Sequence, residues 1–196
     1  MIANRTALRH VPMADFLAGP RAYVRPLVVV AGVLALMLSA KLQIPLWPVP
    51  MTMQTYVVLV IGMAYGANLG TLTIGAYLAA GALGLPVFAG TPEKGIGVPY
   101  MLGPTGGYLV GFLVATLLLG KLARRGWDRR LGSSLLAMTA AHVLILACGA
   151  AWLGVLLGWE RAIAAGVTPF IAATVLKTLL AAITLPFAWR LIRRVE

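Results

Sequence analysis

Charged side chains are spaced so that three long apolar windows are left between them. Residues 42–92 contain no Asp, Glu, Lys or Arg, and neither do residues 95–120 or 131–159. A helix that crosses a bilayer needs about 20 apolar residues, so each window holds a crossing and the first holds two. With the apolar stretches that flank them, the pattern predicts six helices, over about 24–42, 52–68, 70–84, 103–121, 133–157 and 168–191. Helices two and three join tightly around Asn68–Gly70. Glycines four apart, at Gly62, Gly66 and Gly70 and again at Gly103, Gly107 and Gly111, read as stripes that let helix backbones approach closely.

Composition agrees. Of 196 residues, 61% are hydrophobic and 11% charged, with a mean hydropathy of +0.93. Soluble domains carry roughly 25% charged residues, so an ordinary soluble enzyme is excluded. The fold class expected is an all-α integral membrane protein, residues 1–196 forming one six-helix domain. The single cysteine, Cys148, excludes an internal disulfide and a cysteine-based metal cluster and reads as apolar filler.

The net charge is +11, but its placement reports topology rather than a nucleic-acid footprint. Arg5, Arg9, Arg21 and Arg25 precede helix one. Lys121, Arg124, Arg125, Arg129 and Arg130 follow helix four, and Arg190, Arg193 and Arg194 end the chain. Six crossings place all of these on one side, so the positive-inside rule makes both termini cytoplasmic, in a multi-pass protein of the cytoplasmic (inner) membrane. Lys41, Lys94, Arg161 and Lys177 lie on the other side or within the membrane. Residues 1–25 are mixed in character and contain Asp15, so they do not read as a cleavable signal.

Two outer segments stand out. The loop 85–102, LPVFAGTPEKGIGVPYML, is rich in Gly and Pro and carries Phe88 and Tyr100; a loop of this length suits a lid. The segment 44–50, IPLWPVP, is stiffened by Pro45, Pro48 and Pro50, which lowers the entropy lost on closing over a ligand.

Lys177 is the first chemical candidate. Nine residues past Thr168, it sits about 13 Å below the outer end of helix six. An ionisable group at that depth is a functional-site candidate, with a structural lysine bonded to neighbouring carbonyls as the plain alternative. His142, in the middle of helix five, reads as a packing residue or as a proton relay. Gly103-Pro104-Thr105-Gly106-Gly107-Tyr108 opens helix four from outside, where free N–H groups favour an anion. Helices two (Thr52, Gln54, Thr55) and six (Thr168, Pro169) begin on the same side. Together with Lys177, these ends outline a pocket for a small, partly apolar molecule with polar groups. No P-loop, G-x-S-x-G or H-E-x-x-H motif occurs, and no aspartate lies within a predicted helix, so an enzyme reading is weak.

SAKLQIPLWPVPMTMQT (39–55), GALGLPVFAG (81–90) and GPTGGYLVGF (103–112) together resemble the BioY family, the biotin-binding S components of energy-coupling factor (ECF) vitamin transporters. The resemblance runs from about residue 25 to 191. It implies the six-helix S-component fold, biotin captured from outside as the transported ligand, no cofactor and no metal. It also implies a transmembrane T component and two ATPases as the energy source, which accounts for the missing P-loop. The family's helix-six motif, close to P-F-[IL]-P-G-D-x-x-K, aligns with Pro169–Lys177. The lysine is kept as Lys177, but the acidic position is Thr174, a weaker acceptor without charge.

On this resemblance Lys177 and Thr174 contact polar atoms of the ligand from below. Gln54, Gly106, Gly107 and Tyr108 supply donors, and the ring system lies against Trp47, Phe88 and Gly90. Whether the carboxylate or the ureido carbonyl meets Lys177 stays open. Small residues on helix one, Ala31, Ala35 and Ser39, are where the T component would dock, or else pack within the chain. A solitary proton-coupled biotin carrier and a structural subunit that binds no ligand are the alternatives.

Overall fold

Helix α1, Val24–Lys41, buries one side only. Gly32, Leu36, Ser39 and Ala40 face the protein, at the spacing of one helical face, while Leu27, Val30, Leu34 and Leu38 are exposed. A Cβ on Gly32 would lie 2.6 Å from the Thr73 methyl, so the absent side chain sets how closely α1 approaches its neighbour. The computed structural model describes residues 12–14 and 24–195, with side chains to residue 192. Expectations resting on Arg5, Arg9, Asp15 and Arg21, or on the side chains of Arg193 and Arg194, lie outside the described residues.

A small antiparallel hairpin follows, β1 Gln43–Ile44 paired with β2 Met51–Thr52. The prolines of 44–50 had pointed to a stiff segment, not to a strand pair.

Helix α2, Gln54–Ala82, is two helical limbs that double back at Gly66, whose φ of 74° and ψ of 177° are not helical. Glycine takes that conformation without a Cβ penalty. Two observations show the reversal. A Cβ on Gly70 would stand 3.7 Å from the Gly62 Cα, and the side chain of Gln54 reaches that of Tyr77. In an unbroken helix those last two residues would be about 35 Å apart. The junction expected at Asn68–Gly70 thus falls at Gly66.

The chain continues through a connection, 83–105, that contains the short helix α3, Gly97–Met101. Helix α4 spans Gly106–Ala123, three residues later than expected, because Gly103–Thr105 form a turn. A single 3-10 turn at Trp127–Arg129 leads to α5, Leu131–Leu157. Helix α6, Trp159–Gly166, was not expected; its buried residues, Ala162 and Gly166, lie on one side. A 3-10 turn at Thr168–Phe170 then enters α7, Ile171–Val195.

Among the described residues, five helical stretches are long and apolar enough to cross a membrane: α1, α2, α4, α5 and the run Trp159–Ile192. The protein is an all-α integral membrane bundle. Helix α4 lies between α2 and α5, α7 packs on α5 and α2, α6 folds onto α5, and α1 lies against α2. Missing side chains set the close contacts: Gly120 abuts Ala67, and Gly111 abuts Ile145.

The start of α1, the Gly66 turn, the 124–130 connection and the last turns of α7 gather at one end. Arg25, Gly66 and Arg124 line one cleft there, and the Trp189 indole donates to the Asp128 carboxylate. The β-hairpin, the 83–105 connection and α6 lie at the opposite end.

Candidate functional site

A cavity opens beneath the hairpin and the 83–105 connection, with about 580 Å³ of space not filled by atoms, part of it open to solvent. Val49, Pro50 and Thr52 line it from the hairpin side, and Gln54 and Thr55 from the first turn of α2. Phe88, Ala89, Tyr100 and Thr105 form its lid. Tyr108, Leu109 and Phe112 of α4 and His142, Ile145 and Leu146 of α5 form its walls. Phe170, Thr174 and Lys177 close the remaining side. The lining is mostly apolar and aromatic, with a few convergent polar groups, which is the make-up of a small-molecule site. It contains one ammonium and no carboxylate.

Lys177 sits two turns into α7 and is 7% exposed. Its Nζ donates to the Thr52 carbonyl at 2.9 Å. Two further N–H donors remain on the ammonium for a ligand. Phe170, Thr174, Lys177 and Thr178 share one face of the chain entering α7, spaced by three and four residues. The Thr52 hydroxyl accepts the backbone N–H of Gln54 at 3.2 Å, which ties the hairpin to the start of α2. The Thr55 hydroxyl oxygen is buried without a hydrogen-bond partner among the described residues. A buried hydroxyl beside a cavity is costly unless something fills its place, and a polar ligand would do so.

The lid is held by side chains that grip its backbone. Tyr77 donates to the Val87 carbonyl at 3.1 Å and Tyr100 to the Ala89 carbonyl at 2.8 Å. Phe88, 1% exposed, stacks on Tyr100 with ring centroids 4.9 Å apart and meets Tyr77 edge-on at 5.4 Å. The Phe88 ring occupies the space above Gly81, where a Cβ would lie 2.0 Å from it.

The structure therefore brings Lys177, Thr174, Tyr108, Gln54 and Phe88 to one cavity. It does not bring the other expected contacts there. Trp47 is 80% exposed and points away, and its neighbours Val49 and Pro50 line the cavity instead. Gly90 forms a turn at φ 69°, its carbonyl accepting from the Lys94 N–H. The N–H of Gly106 already donates to the Gly103 carbonyl at 3.0 Å. Gly107 is packing: a Cβ there would lie 2.3 Å from the Cβ of Trp152 and 2.4 Å from the Cys148 carbonyl on α5. Tyr108 borders the cavity, but its hydroxyl donates to the Gly166 carbonyl at 2.6 Å.

His142 borders the cavity as well, 1% exposed, with Nδ1 2.8 Å from the Thr178 hydroxyl. Tyr77 and Lys41 escaped the sequence reading as lid-holding residues. The tyrosine's signal was its place on the apolar helix leading into the loop. The lysine's was its charge at the last residue of α1.

The model of the BioY family matches residues 12–194. The chain belongs to that family. Among BioY relatives, the probable biotin transporter BioY of Pyrococcus horikoshii is 37% identical over 145 residues, covering 74% of this chain and 83% of the relative. The biotin transporter BioY of Thermotoga maritima is 32% identical over 160 residues, covering 76% and 85%. A crystal structure of the S component for biotin from an ECF-type ABC transporter superposes with a TM-score of 0.74 at 23% identity, over 86% of this chain and 92% of that one. That likeness establishes the fold.

Proposed function

We propose that this BioY-family chain captures biotin at the outer face of the cytoplasmic membrane, as the S component of an ECF transporter. The observation that carries this reading is the lidded cavity, with the Lys177 ammonium among aromatic walls and no carboxylate. Biotin matches its chemistry: an apolar ring and chain with an anionic carboxylate and a ureido carbonyl, either of which accepts from Lys177. Gln54, Thr55 and Thr174 offer acceptors to the ureido N–H groups. The names of the relatives and the S-component fold support the assignment.

In this reading the two limbs of α2 are the second and third of six crossings, and both termini are cytoplasmic. Arg25, Lys121, Arg124, Arg125, Arg129 and Arg130 lie near the end away from the lid, which supports that orientation. The likeness to an ECF S component supports a T component and two ATPases as the energy source, in keeping with a chain that carries no nucleotide-binding motif. On α1, Ala31 is exposed and Ala35 half-buried, whereas Ser39 is buried with its hydroxyl bonded to the Leu36 carbonyl. Any docking face for the T component is therefore centred on the Ala31 end.

Equilibrium binding of labelled biotin to purified protein in detergent, wild type beside Lys177→Leu, tests the assignment. Saturable binding lost in a variant that still elutes as a folded species supports it. No binding by the wild type overturns it.

A further inference from the structure

Lys41, the last residue of α1, does not line the cavity, yet its ammonium is bound to the cavity's lid. Nζ donates to the Thr91 carbonyl at 2.9 Å, to the Phe88 carbonyl at 3.1 Å and to the Thr91 hydroxyl at 3.1 Å. An ammonium has three N–H donors, and here all three converge on one turn. The Thr91 hydroxyl passes its own proton to the Phe88 carbonyl at 2.7 Å, which closes the turn on itself. Phe88 and Ala89, carried by that turn, are cavity wall.

A lysine in the last turn of a membrane helix is ordinarily explained by the helix dipole and by snorkelling toward water. Neither accounts for three donors aimed at residues 47 and 50 positions away. Nor is this an ion pair, because each acceptor is a carbonyl or a hydroxyl. These bonds are charge-assisted and come from an exposed side chain, unlike those from the buried, neutral phenols of Tyr77 and Tyr100 that hold the same lid. Tyr77 belongs to the second limb of α2 and Tyr100 to α3, inside the lid connection itself. Lys41 adds a tie from α1, whose outward face (Leu27, Val30, Leu34, Leu38) is open.

We propose that Lys41 is a positioning residue that latches the lid over the bound ligand and makes its closure depend on where the end of α1 lies. The ligand assignment rests on the biotin reading above; the latch rests on the geometry. A latch of this kind slows escape above all, since a bound ligand leaves only when the turn lets go.

Association and dissociation rates of labelled biotin, measured in detergent, test it. Lys41→Met keeps most of the length of the side chain and removes its donors. It should speed dissociation about tenfold or more, the equivalent of one of its three charge-assisted bonds, while association does not slow. Lys41→Arg keeps donors and should recover part of the retention. Thr91→Val, which removes one of the three bonds from Lys41 together with the Thr91–Phe88 bond and leaves α1 untouched, should shift dissociation the same way and stands in if Lys41→Met does not fold. An unchanged dissociation rate in Lys41→Met, or an Arg variant as leaky as the Met variant, overturns the latch.

Should the wild type bind no biotin, the ligand reading fails but the latch is still tested. Ala89→Cys in a Cys148→Ser background reports lid opening through its rate of maleimide labelling. Adding Lys41→Met should raise that rate about tenfold or more on the same bond loss, and an unchanged rate overturns the proposal.

Discussion

The side-chain amide of Gln54 donates to the hydroxyl of Tyr77 at 2.6 Å, joining residues 23 positions apart across the two limbs of α2. The same hydroxyl donates onward to the Val87 carbonyl at the root of the lid. One buried chain of hydrogen bonds thus runs from a cavity-lining amide to the lid backbone, fixing the Gln54 head group and the Phe88 turn relative to each other.

Tyr77→Phe should leave the Gln54 amide and the Val87 carbonyl without this partner. A buried group left unsatisfied costs about 1–3 kcal/mol. The expected result is a lower melting temperature in detergent together with weaker biotin binding, measured on the same preparation by thermal unfolding and calorimetry.

Gly81→Ala places a methyl group where the Phe88 ring lies. Overpacking of this kind typically costs about 1–3 kcal/mol. Because the displaced ring is cavity wall, affinity for biotin should fall along with stability. A variant that binds as wild type would show that the ring can move without disturbing the site.

Gly107 and Trp47 form a contrasting pair. Gly107→Ala should destabilise the protein with or without biotin, since the new methyl group strikes Trp152 and the Cys148 carbonyl. Trp47→Ala should bind within about twofold of wild type, as surface substitutions usually stay within about 0.5 kcal/mol. Melting curves for the first and a binding isotherm for the second check both outcomes.

Asp128 gives a pH signature at the other end of the bundle. Burial holds its carboxyl above the ordinary carboxylate value, against opposing pulls from the Trp189 indole and the Arg129 guanidinium. The folded protein therefore holds this proton more tightly than the unfolded chain. The linked stability is complete below the unfolded value and is lost as pH rises through the folded one. Asp128→Asn keeps an acceptor for Trp189 and should flatten the fall in melting temperature as pH rises through the mildly acidic range.

Much of this architecture was legible in the chain because membrane helices must be both apolar and long. The windows free of charge located α4 and α5, and the apolar stretches flanking them located α1 and α7, all within a few residues; the depth of Lys177 marked it before any neighbour was known. Directions were harder to read. Trp47 was expected at the ligand because it is aromatic and lies among prolines, but those prolines do not say which way a ring turns. Gly106 and Gly107 were read as open donors because a lone helix end has free N–H groups. The structure gives the Gly106 N–H to the Gly103 carbonyl and packs Trp152 of α5 where a Gly107 side chain would lie. Helix α6 escaped because eight residues holding Glu160 and Arg161 look like a loop between apolar runs. The Lys41 contacts join segments about 50 residues apart, a distance that no local pattern encodes.

The fold-back at Gly66 also bears on the lipid around the protein. Its limbs, 54–65 and 67–82, are about 18 and 24 Å long at 1.5 Å per residue. The hydrocarbon layer of a typical bilayer is about 30 Å thick. The first limb has no exposed residue, but where the second is exposed, at Asn68, Leu72 and Ala79, the protein is shorter than its surroundings, so acyl chains there must compress or the bundle must lean. Such hydrophobic mismatch costs fractions of a kcal/mol per Å. Reconstituted in bilayers of increasing acyl length, the protein should lose thermal stability steadily, and Gly66 makes membrane thickness one of the variables to which it answers.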